Sequence, residues 1–281
     1  MSAAILDGKE LAKKLLAQIS AQVSSRSSTS KKLGLATVLV GDDAASKSYV
    51  AGKHRDCAEV GISSIKVELE KNASKSQLLD QISKLNSDTN CTGFLVQLPL
   101  PNSFAVTEIL AKISPEKDVD GLTPENLGLL ALGKPRVIPC TARAIQYLLQ
   151  HYRIDIAGRQ VLIIGRGMTV GRPLSILLSS KENNATVTLA HSASKDLPQL
   201  IAKNDVVITA VGKPNWLKSD WVKSDATVID VGITKLADKL VGDCDEKVVQ
   251  KCKFYAPVPG GVGPLTRAML LQNLLDLDAA E

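Results

Sequence analysis

The chain has 281 residues, 44% of them hydrophobic, which is enough for roughly two domains with packed cores. Its formal net charge is only +5 and 3% of its residues are aromatic, so neither a phosphate-tracking stripe nor a base-stacking surface for nucleic acid is expected. We also expect no membrane association, because no apolar run approaches the roughly 18 residues of a spanning helix, and Asp7 and Glu10 stand where a signal peptide would be apolar.

The cysteines form neither a CxxC pair nor a cluster with zinc spacing. They are Cys57, Cys91, Cys140, Cys244 and Cys252. We therefore expect reduced thiols in a cytoplasmic protein, and no metal site.

The first part of the chain alternates between helical and strand patterns. In chain order, these patterns predict helix 6–22, strand 35–40, helix 46–60, strand 64–69, helix 74–85 and strand 92–98. Such alternation indicates an α/β domain with a parallel sheet.

One lysine lies on the apolar side of helix 46–60. At about 100° per residue, Val50, Cys57 and Val60 share a face, and Lys53 projects among them with Tyr49 one turn earlier. Such a lysine either extends its ammonium group to water or lines a cleft. In a cleft, partial desolvation lowers the pKa towards neutrality, as proton transfer near pH 7 requires.

Two further polar residues stand at positions that suit a ligand. Gln97 lies at the carboxyl end of strand 92–98, where open α/β sheets bind ligands, although an exposed amide is an equally good interpretation. Asp120 lies close to Asp118 in a loop. Loop carboxylates are usually solvated, but Asp120 could accept two N–H bonds from a pterin-like amidine edge.

A helix over 141–151 is predicted to join a second α/β domain. An apolar run at 161–164 leads into a glycine turn, 165–171, and then a helical pattern from Pro173. In a dinucleotide site, such a turn lets the backbone approach a pyrophosphate, and the next helix offers N–H groups. The GxGxxxG spacing is one residue longer than the usual fingerprint, and similar turns occur where nothing binds. Further strands at 185–190, 205–211 and 226–231 favour the dinucleotide site, and an amphipathic helix follows at 265–277.

The cofactor is predicted from the end of strand 185–190. An NAD site commonly places a carboxylate there to bind the ribose 2′-hydroxyl, but this chain has His191 and Ser192, with Lys195 close by and Arg166 in the glycine turn. These residues favour NADP over NAD. By itself, His191 would be about as readily interpreted as an ordinary loop histidine, but Ser192 and Arg166 beside the same ribose position favour a role in the cofactor site.

A rigid loop precedes the last helix. Segment 257–264 combines prolines and glycines and has few functional side chains, which favours a loop that presents its backbone to a ligand.

Together, these segments resemble the bifunctional methylenetetrahydrofolate dehydrogenase/methenyltetrahydrofolate cyclohydrolase family. The similar segments run in order over nearly the whole chain: 40–43, 49–53, 93–101, 117–121, 139–141, 170–173, 229–233 and 257–264. The resemblance implies oxidation of 5,10-methylenetetrahydrofolate to 5,10-methenyltetrahydrofolate with NADP, and then hydrolysis to 10-formyltetrahydrofolate. It also implies a homodimer with tetrahydrofolate derivatives as ligands.

The site residues follow from the resemblance and from the patterns above. The catalytic candidates are Lys53, Gln97, Tyr49 and Asp120. The folate candidates are Tyr49, Gln97, Leu98, Pro99, Asp120, Pro259, Gly260 and Gly261. The cofactor candidates are Thr141, Gly165, Arg166, Gly167, Thr169, Val170, Gly171, His191, Ser192 and Ile233.

The predicted fold class is α/β, with two α/β domains flanking a cleft and a Rossmann-like dinucleotide-binding domain as the second. The expected bounds are 1–139, completed by the C-terminal helix 265–281, for the catalytic domain and 140–264 for the NADP-binding domain. Two alternatives stay open: a monofunctional dehydrogenase of the same fold, and a non-catalytic regulator that binds NADP or folate.

Overall fold

The computed structural model describes residues 2–27, 31–236 and 239–280. Of the predicted domains, residues 1, 28–30, 237–238 and 281 lie outside the described residues. The chain divides into two compact units. The six-stranded unit consists of Met1–Ala12 and Thr141–Thr266, and the three-stranded unit of Lys13–Cys140 and Arg267–Glu281. This division differs from the predicted domain bounds mainly at residues 1–12, because the strand Ala4–Ile5 pairs with Phe254–Ala256 of the six-stranded unit.

Helices and strands alternate along most of the chain. In chain order they are β1 (Ala4–Ile5), α1 (Gly8–Ser24), β2 (Gly34–Val40), α2 (Ala44–Val60), β3 (Ser63–Leu69), α3 (Lys75–Ser87), β4 (Gly93–Val96), α4 (Val106–Leu110), α5 (Pro124–Ala131), α6 (Cys140–His151), β5 (Gln160–Ile164), α7 (Gly171–Leu178), β6 (Thr186–Ala190), α8 (Leu197–Lys203), β7 (Val206–Thr209), β8 (Thr227–Asp230), β9 (Thr234–Leu236), β10 (Lys239–Val241), α9 (Val248–Lys251), β11 (Phe254–Ala256) and α10 (Val262–Ala280). Short 3₁₀ turns lie at Pro115–Lys117 and Ser219–Trp221.

The predicted helices and strands are present, with bounds within three residues of those expected. Several shorter elements were not predicted from the sequence: β1, α4, α5, α8, β9, β10, α9 and β11. The strands among them have two or three residues and the helices four to eight, which is shorter than the stretches over which strand or helix periodicity can be recognised. No helix in the described part of the chain is long and apolar enough to cross a membrane.

The three-stranded unit contains a parallel sheet in the order β3-β2-β4. Its central strand β2 is buried along its whole length, as its continuous apolar sequence predicts. The chain runs from β2 to β3 on one side and then to β4 on the other, so the strand order reverses at β2. Open α/β sheets bind ligands beyond the carboxyl ends of the strands at such a reversal.

The six-stranded unit contains a second parallel sheet, in the order β1-β11-β8-β7-β5-β6. Its core includes Leu162 and Ile164 from β5, Val207 from β7, Val228 from β8 and Ile201 from α8. In this sheet the strand order reverses at β5, which has β6 on one side and β7 on the other. Two parallel sheets with helical crossovers confirm the predicted α/β class.

The glycine turn follows β5 at this reversal and is packed backbone against backbone. Gly165 has φ +115°, and a Cβ atom added there would lie 2.2 Å from the carbonyl oxygen of Ala210. A Cβ atom at Gly171 would lie 1.7 Å from the carbonyl oxygen of Gly165. By contrast, a Cβ atom at Gly167 would meet nothing within 4 Å. The first and last glycines are therefore required by packing, whereas the middle one is not.

We predict that Gly171→Ala lowers the free energy of unfolding by at least about 2 kcal/mol, because the turn must open to admit the methyl group. Gly167→Ala is the matched control and should change it by less than about 0.5 kcal/mol. Urea unfolding of both variants tests this, and equal losses would contradict the packing argument.

Candidate active site

Lys53 lies on α2, whose first turn is capped by Asp43 through a 2.7 Å hydrogen bond from the Ser46 backbone N–H. The Lys53 side chain is 5% exposed, so its ammonium group does not extend to water. Its Nζ donates to Gln97 Oε1 over 3.1 Å. Gln97 Nε2 donates to the Leu98 carbonyl over 2.7 Å, which holds the amide with its oxygen towards Lys53.

Tyr49 lies one turn before Lys53 on the same side of α2. The Lys53 Nζ is 5.1 Å from the centroid of its ring, within the range of a cation–π contact. The ring is half-buried, and burial raises the pKa of the Tyr49 phenol, so the hydroxyl group stays neutral. Tyr49 therefore offers a neutral aromatic surface beside the amine.

Burial is the main influence on the pKa of Lys53, and it lowers this pKa from its ordinary value because the charged form loses hydration. The carboxylate of Asp120 acts in the opposite direction, as do Cys140 and Cys57. The guanidinium group of Arg267 lowers the pKa further. Lys53 therefore reaches its neutral form at a lower pH than an exposed lysine does.

The loop that carries Asp120 is fixed by its neighbour Asp118. The Asp118 carboxylate is buried and accepts hydrogen bonds from the Gly121 N–H at 3.0 Å, the Thr123 N–H at 2.7 Å and Asn126 Nδ2 at 3.0 Å. Burial raises the pKa of Asp118, and these hydrogen bonds oppose the rise. Asp118 is thus a structural residue, whereas Asp120 is half-buried.

Two parts of the site were not predicted from the sequence. Asn273 of α10 is buried, and its Nδ2 donates to the carbonyls of Val119 at 2.8 Å and Ile138 at 2.9 Å, which holds the Asp120 loop. Arg267, also on α10, donates from Nε to Asp56 Oδ2 over 2.6 Å. An asparagine and an arginine within the predicted amphipathic helix 265–277 were the available signals, but nothing in the sequence identified their partners.

The cofactor candidates of the glycine turn lie in the six-stranded unit. The Gly165 N–H donates to the Ala190 carbonyl over 2.9 Å, so Arg166 and Ser192, both exposed, follow neighbouring strands at the same sheet edge. The His191 Nδ1 accepts from the Ala193 N–H at 3.2 Å, so His191 stabilises its own turn. This supports the loop-histidine interpretation.

The start of α7 differs from expectation. Thr169 and Val170 precede it and are half-buried. The Arg172 N–H donates to the Gly167 carbonyl over 3.1 Å, and Pro173 has no N–H. The helix terminus thus offers fewer N–H groups to an anion than the sequence analysis expected.

Ile233 lies beyond β8 in a loop that two buried aspartates hold. Asp230 accepts from the Asp243 and Cys244 N–H groups, both at 2.9 Å. Asp243 in turn accepts from the Val211 N–H at 2.7 Å. Ile233 itself is 50% exposed. This pair of carboxylates was not predicted from the sequence.

The remaining candidates are distributed over both units. Leu98 and Pro99 are joined by a cis peptide directly after Gln97 in the three-stranded unit. Thr141 lies in the first turn of α6 in the six-stranded unit. Pro259, Gly260 and Gly261 are also in the six-stranded unit, where the Gly260 carbonyl accepts from the Lys9 N–H over 2.8 Å.

Comparison with known families identifies the chain. Residues 6–120 match the profile of the tetrahydrofolate dehydrogenase/cyclohydrolase catalytic domain, and residues 139–281 match the NAD(P)-binding domain of the same family. The chain belongs to this family. The predicted family, fold class and function are therefore confirmed, and the protein is an enzyme with the catalytic and Rossmann-like NAD(P)-binding domains of tetrahydrofolate dehydrogenase/cyclohydrolases.

Solved structures of the same family are similar to this chain. The bifunctional FolD methylenetetrahydrofolate dehydrogenase/cyclohydrolase from Campylobacter jejuni is 40% identical, with 100% of each chain covered and a TM-score of 0.94. The Trypanosoma brucei FolD, solved with NADP cofactor and inhibitor, is 36% identical, with 100% of this chain and 98% of that chain covered and a TM-score of 0.95. The NAD-dependent dehydrogenase from Saccharomyces cerevisiae, 24% identical, shares the fold, with a TM-score of 0.85 and coverages of 100% and 98%.

We predict that Asp118→Asn lowers the free energy of unfolding by about 1–3 kcal/mol, because an amide nitrogen would then face N–H donors in a buried loop. It should also raise KM for the folate substrate through displacement of Asp120. Asp155→Asn is the control, since that carboxylate accepts from the Ala157 N–H in an exposed turn. Urea unfolding and initial rates test this, and wild-type values for Asp118→Asn would contradict it.

Proposed function

We propose that the chain oxidises 5,10-methylenetetrahydrofolate to 5,10-methenyltetrahydrofolate with NADP and then hydrolyses the product to 10-formyltetrahydrofolate, with Lys53 as the proton carrier. The observation that carries this assignment is the buried Lys53 Nζ hydrogen-bonded to Gln97. A buried amine held by a neutral amide keeps access to both of its protonation states.

NADP fits the sheet edge of the six-stranded unit. Backbone packing leaves no room for a side chain at Gly165 or Gly171, and the side chains of Arg166 and Ser192 are exposed. The residues that we assign to NADP binding are Gly165, Arg166, Gly167, Thr169, Val170, Gly171, Ser192, Ile233 and Thr141. His191 contributes to the cofactor site by stabilising the turn that carries Ser192. When bound, NADP supplies the hydride acceptor. Arg166 and Ser192 are the residues suited to a ribose 2′-phosphate, because a guanidinium group and a hydroxyl group both donate to phosphate oxygens.

In the oxidation step, the hydride leaves the methylene carbon as an adjacent folate nitrogen donates its lone pair. The product is a resonance-stabilised cation, so this step needs no acid. A neutral Lys53 is compatible with this cation, whereas a charged one would oppose its formation. The burial that lowers the pKa of Lys53 therefore favours the oxidation.

In the hydrolysis step, water forms a bond to the amidinium carbon and gives a proton to the neutral Lys53 Nζ. The bond between this carbon and one folate nitrogen then breaks as the hydroxyl group of the adduct loses its proton to water and becomes the formyl carbonyl. The released nitrogen takes a proton back from Lys53, so one proton is released overall. Gln97 orients the amine during both transfers. Tyr49 packs on the folate, and Asp120 accepts N–H bonds from its pterin edge.

Leu98 and Pro99 complete the folate site that we propose in the three-stranded unit. Pro259, Gly260 and Gly261, in the six-stranded unit, stay folate candidates. The Lys53–Gln97 hydrogen bond favours the bifunctional enzyme over a monofunctional dehydrogenase, because the oxidation alone requires no proton carrier. We further propose a cytoplasmic homodimer that provides one-carbon units for purine biosynthesis, as membership of the family suggests.

We predict that Lys53→Met lowers the cyclohydrolase kcat by at least about 100-fold, because the proton carrier is lost, and leaves NADP binding unchanged. Lys47→Met, at an exposed position of the same helix, is the control. Hydrolysis of methenyltetrahydrofolate, followed by absorbance, tests the first expectation, and NADP titration calorimetry tests the second. Unchanged hydrolysis would exclude Lys53 as the proton carrier.

We predict that the wild-type enzyme has a higher kcat/KM with NADP than with NAD, and that Arg166→Ala reduces this ratio by about tenfold, because a charge-assisted hydrogen bond contributes about 1.5–3 kcal/mol. Arg159→Ala, at the opposite end of β5, should leave the ratio unchanged. Spectrophotometric assays of the three enzymes with each cofactor give the six values of kcat/KM. Equal efficiencies with both cofactors in the wild type would refute the preference.

A further inference from the structure

We propose that the ion pair between Arg267 and Asp56 is a positioning device, which holds the Asp56 carboxylate away from Lys53 and so keeps the Lys53 amine bonded to Gln97. This inference rests on the proposed function only in so far as Lys53 is the proton carrier. The geometry behind it is independent of any activity.

The ion pair is built around one stretch of α2. Asp56 follows Lys53 by three residues, a spacing that brings side chains together on a helix, and both are buried. The Arg267 Nε donates to Asp56 Oδ2 over 2.6 Å. The same guanidinium group lies against Gly52, where an added Cβ atom would be 3.2 Å from Nε and 3.3 Å from Cζ. The absence of a side chain at Gly52 thus makes room for Arg267.

A buried carboxylate requires a partner, because an unpaired charge out of water is strongly unfavourable. Without Arg267, the ammonium group of Lys53 would be a cation one helical turn away. A bond between Lys53 and Asp56 would withdraw Nζ from Gln97 and stabilise the ammonium form. Arginine prevents this at every working pH, because its guanidinium group stays protonated and cannot exchange roles with the lysine.

The groups around Lys53 determine in which direction its pKa changes when Arg267 is lost. Tyr49 and Cys57 face it from α2, Asp120 from its loop, Cys140 from the start of α6 and Arg267 from α10. Asp120, Cys140 and Cys57 raise the pKa of Lys53, whereas burial and Arg267 lower it. Loss of Arg267 removes a cation and releases a carboxylate, and both changes favour the ammonium form.

The test is a direct titration of Lys53 by NMR in protein with ¹³Cε-labelled lysine, with the resonance assigned by its loss in Lys53→Met. We expect Arg267→Met to raise the Lys53 midpoint by at least about 1 pH unit, the lower end of the shift that an opposite charge within 4–6 Å produces. The double variant Arg267→Met/Asp56→Asn should return the midpoint to within about 0.5 unit of wild type, because the released carboxylate is gone. The acid limb of the cyclohydrolase pH profile should move with the midpoint, since the neutral amine accepts the proton.

Arg26→Met is the matched control. Arg26 pairs with Asp278 of α10 at 2.5 Å, and its side chain is 26% exposed against 27% for Arg267. This variant should leave the Lys53 midpoint unchanged.

Two results would overturn the proposal: an unchanged midpoint in Arg267→Met, which would make the pair purely structural, or a raised midpoint that persists in the double variant. If Arg267→Met does not fold, Asp56→Asn decides, because it leaves Arg267 unneutralised and should lower the midpoint. An unchanged or raised midpoint in Asp56→Asn would refute the inference. Because the titration needs no turnover, a wild type without folate activity would count against the proposed function alone.

Discussion

The site depends on keeping one amine out of water. Burial of the Lys53 ammonium group is unfavourable, and the fold accepts it because Gln97 supplies an oxygen at 3.1 Å and Tyr49 an aromatic face. Both partners are neutral, so they hold the amine without fixing it in its charged form. Asp120, the carboxylate that most strongly raises the pKa of Lys53, stands in a loop that Asp118 and Asn273 hold in place. The rigidity of that loop thus limits how strongly Lys53 is drawn towards its charged state.

The two parallel sheets share one feature, a reversal of strand order. The order of strands reverses at the central strand β2 in the three-stranded sheet and at β5, between β6 and β7, in the six-stranded sheet. The residues that follow the strands at each reversal stand at one edge of their sheet. In the three-stranded unit this edge carries Gln97, and in the six-stranded unit it carries the glycine turn. Buried carboxylates then tie the loops at these edges, Asp118 in one unit and Asp230 with Asp243 in the other.

Much of this arrangement could be predicted from the sequence, because the signals are local. The helical period of α2 was enough to predict that Lys53 lies among apolar residues, and Lys53 is buried in the structure. The contacts that could not be predicted join distant residues: Asp56 and Arg267 are 211 positions apart, and Asn273 and Val119 are 154 apart. A periodicity shows which face of an element is buried, but it does not show which polar group will be opposite. For the same reason, the burial of Asp118 could not be predicted, since a loop carboxylate is usually exposed to solvent.

The glycine turn shows how the fold and the choice of cofactor are separated. Backbone packing between Gly165, Gly171 and Ala210 fixes the shape of the turn and belongs to the fold. The start of α7 retains few N–H groups for a phosphate, because Arg172 bonds to Gly167 and Pro173 has none. In the site that we propose, binding of the anionic cofactor therefore depends on the backbone of the glycine turn and on side chains at the strand ends. Arg166 and Ser192 are exposed, so either side chain can change without disturbing the packing of the turn, and a change of cofactor preference in that site need not alter the architecture.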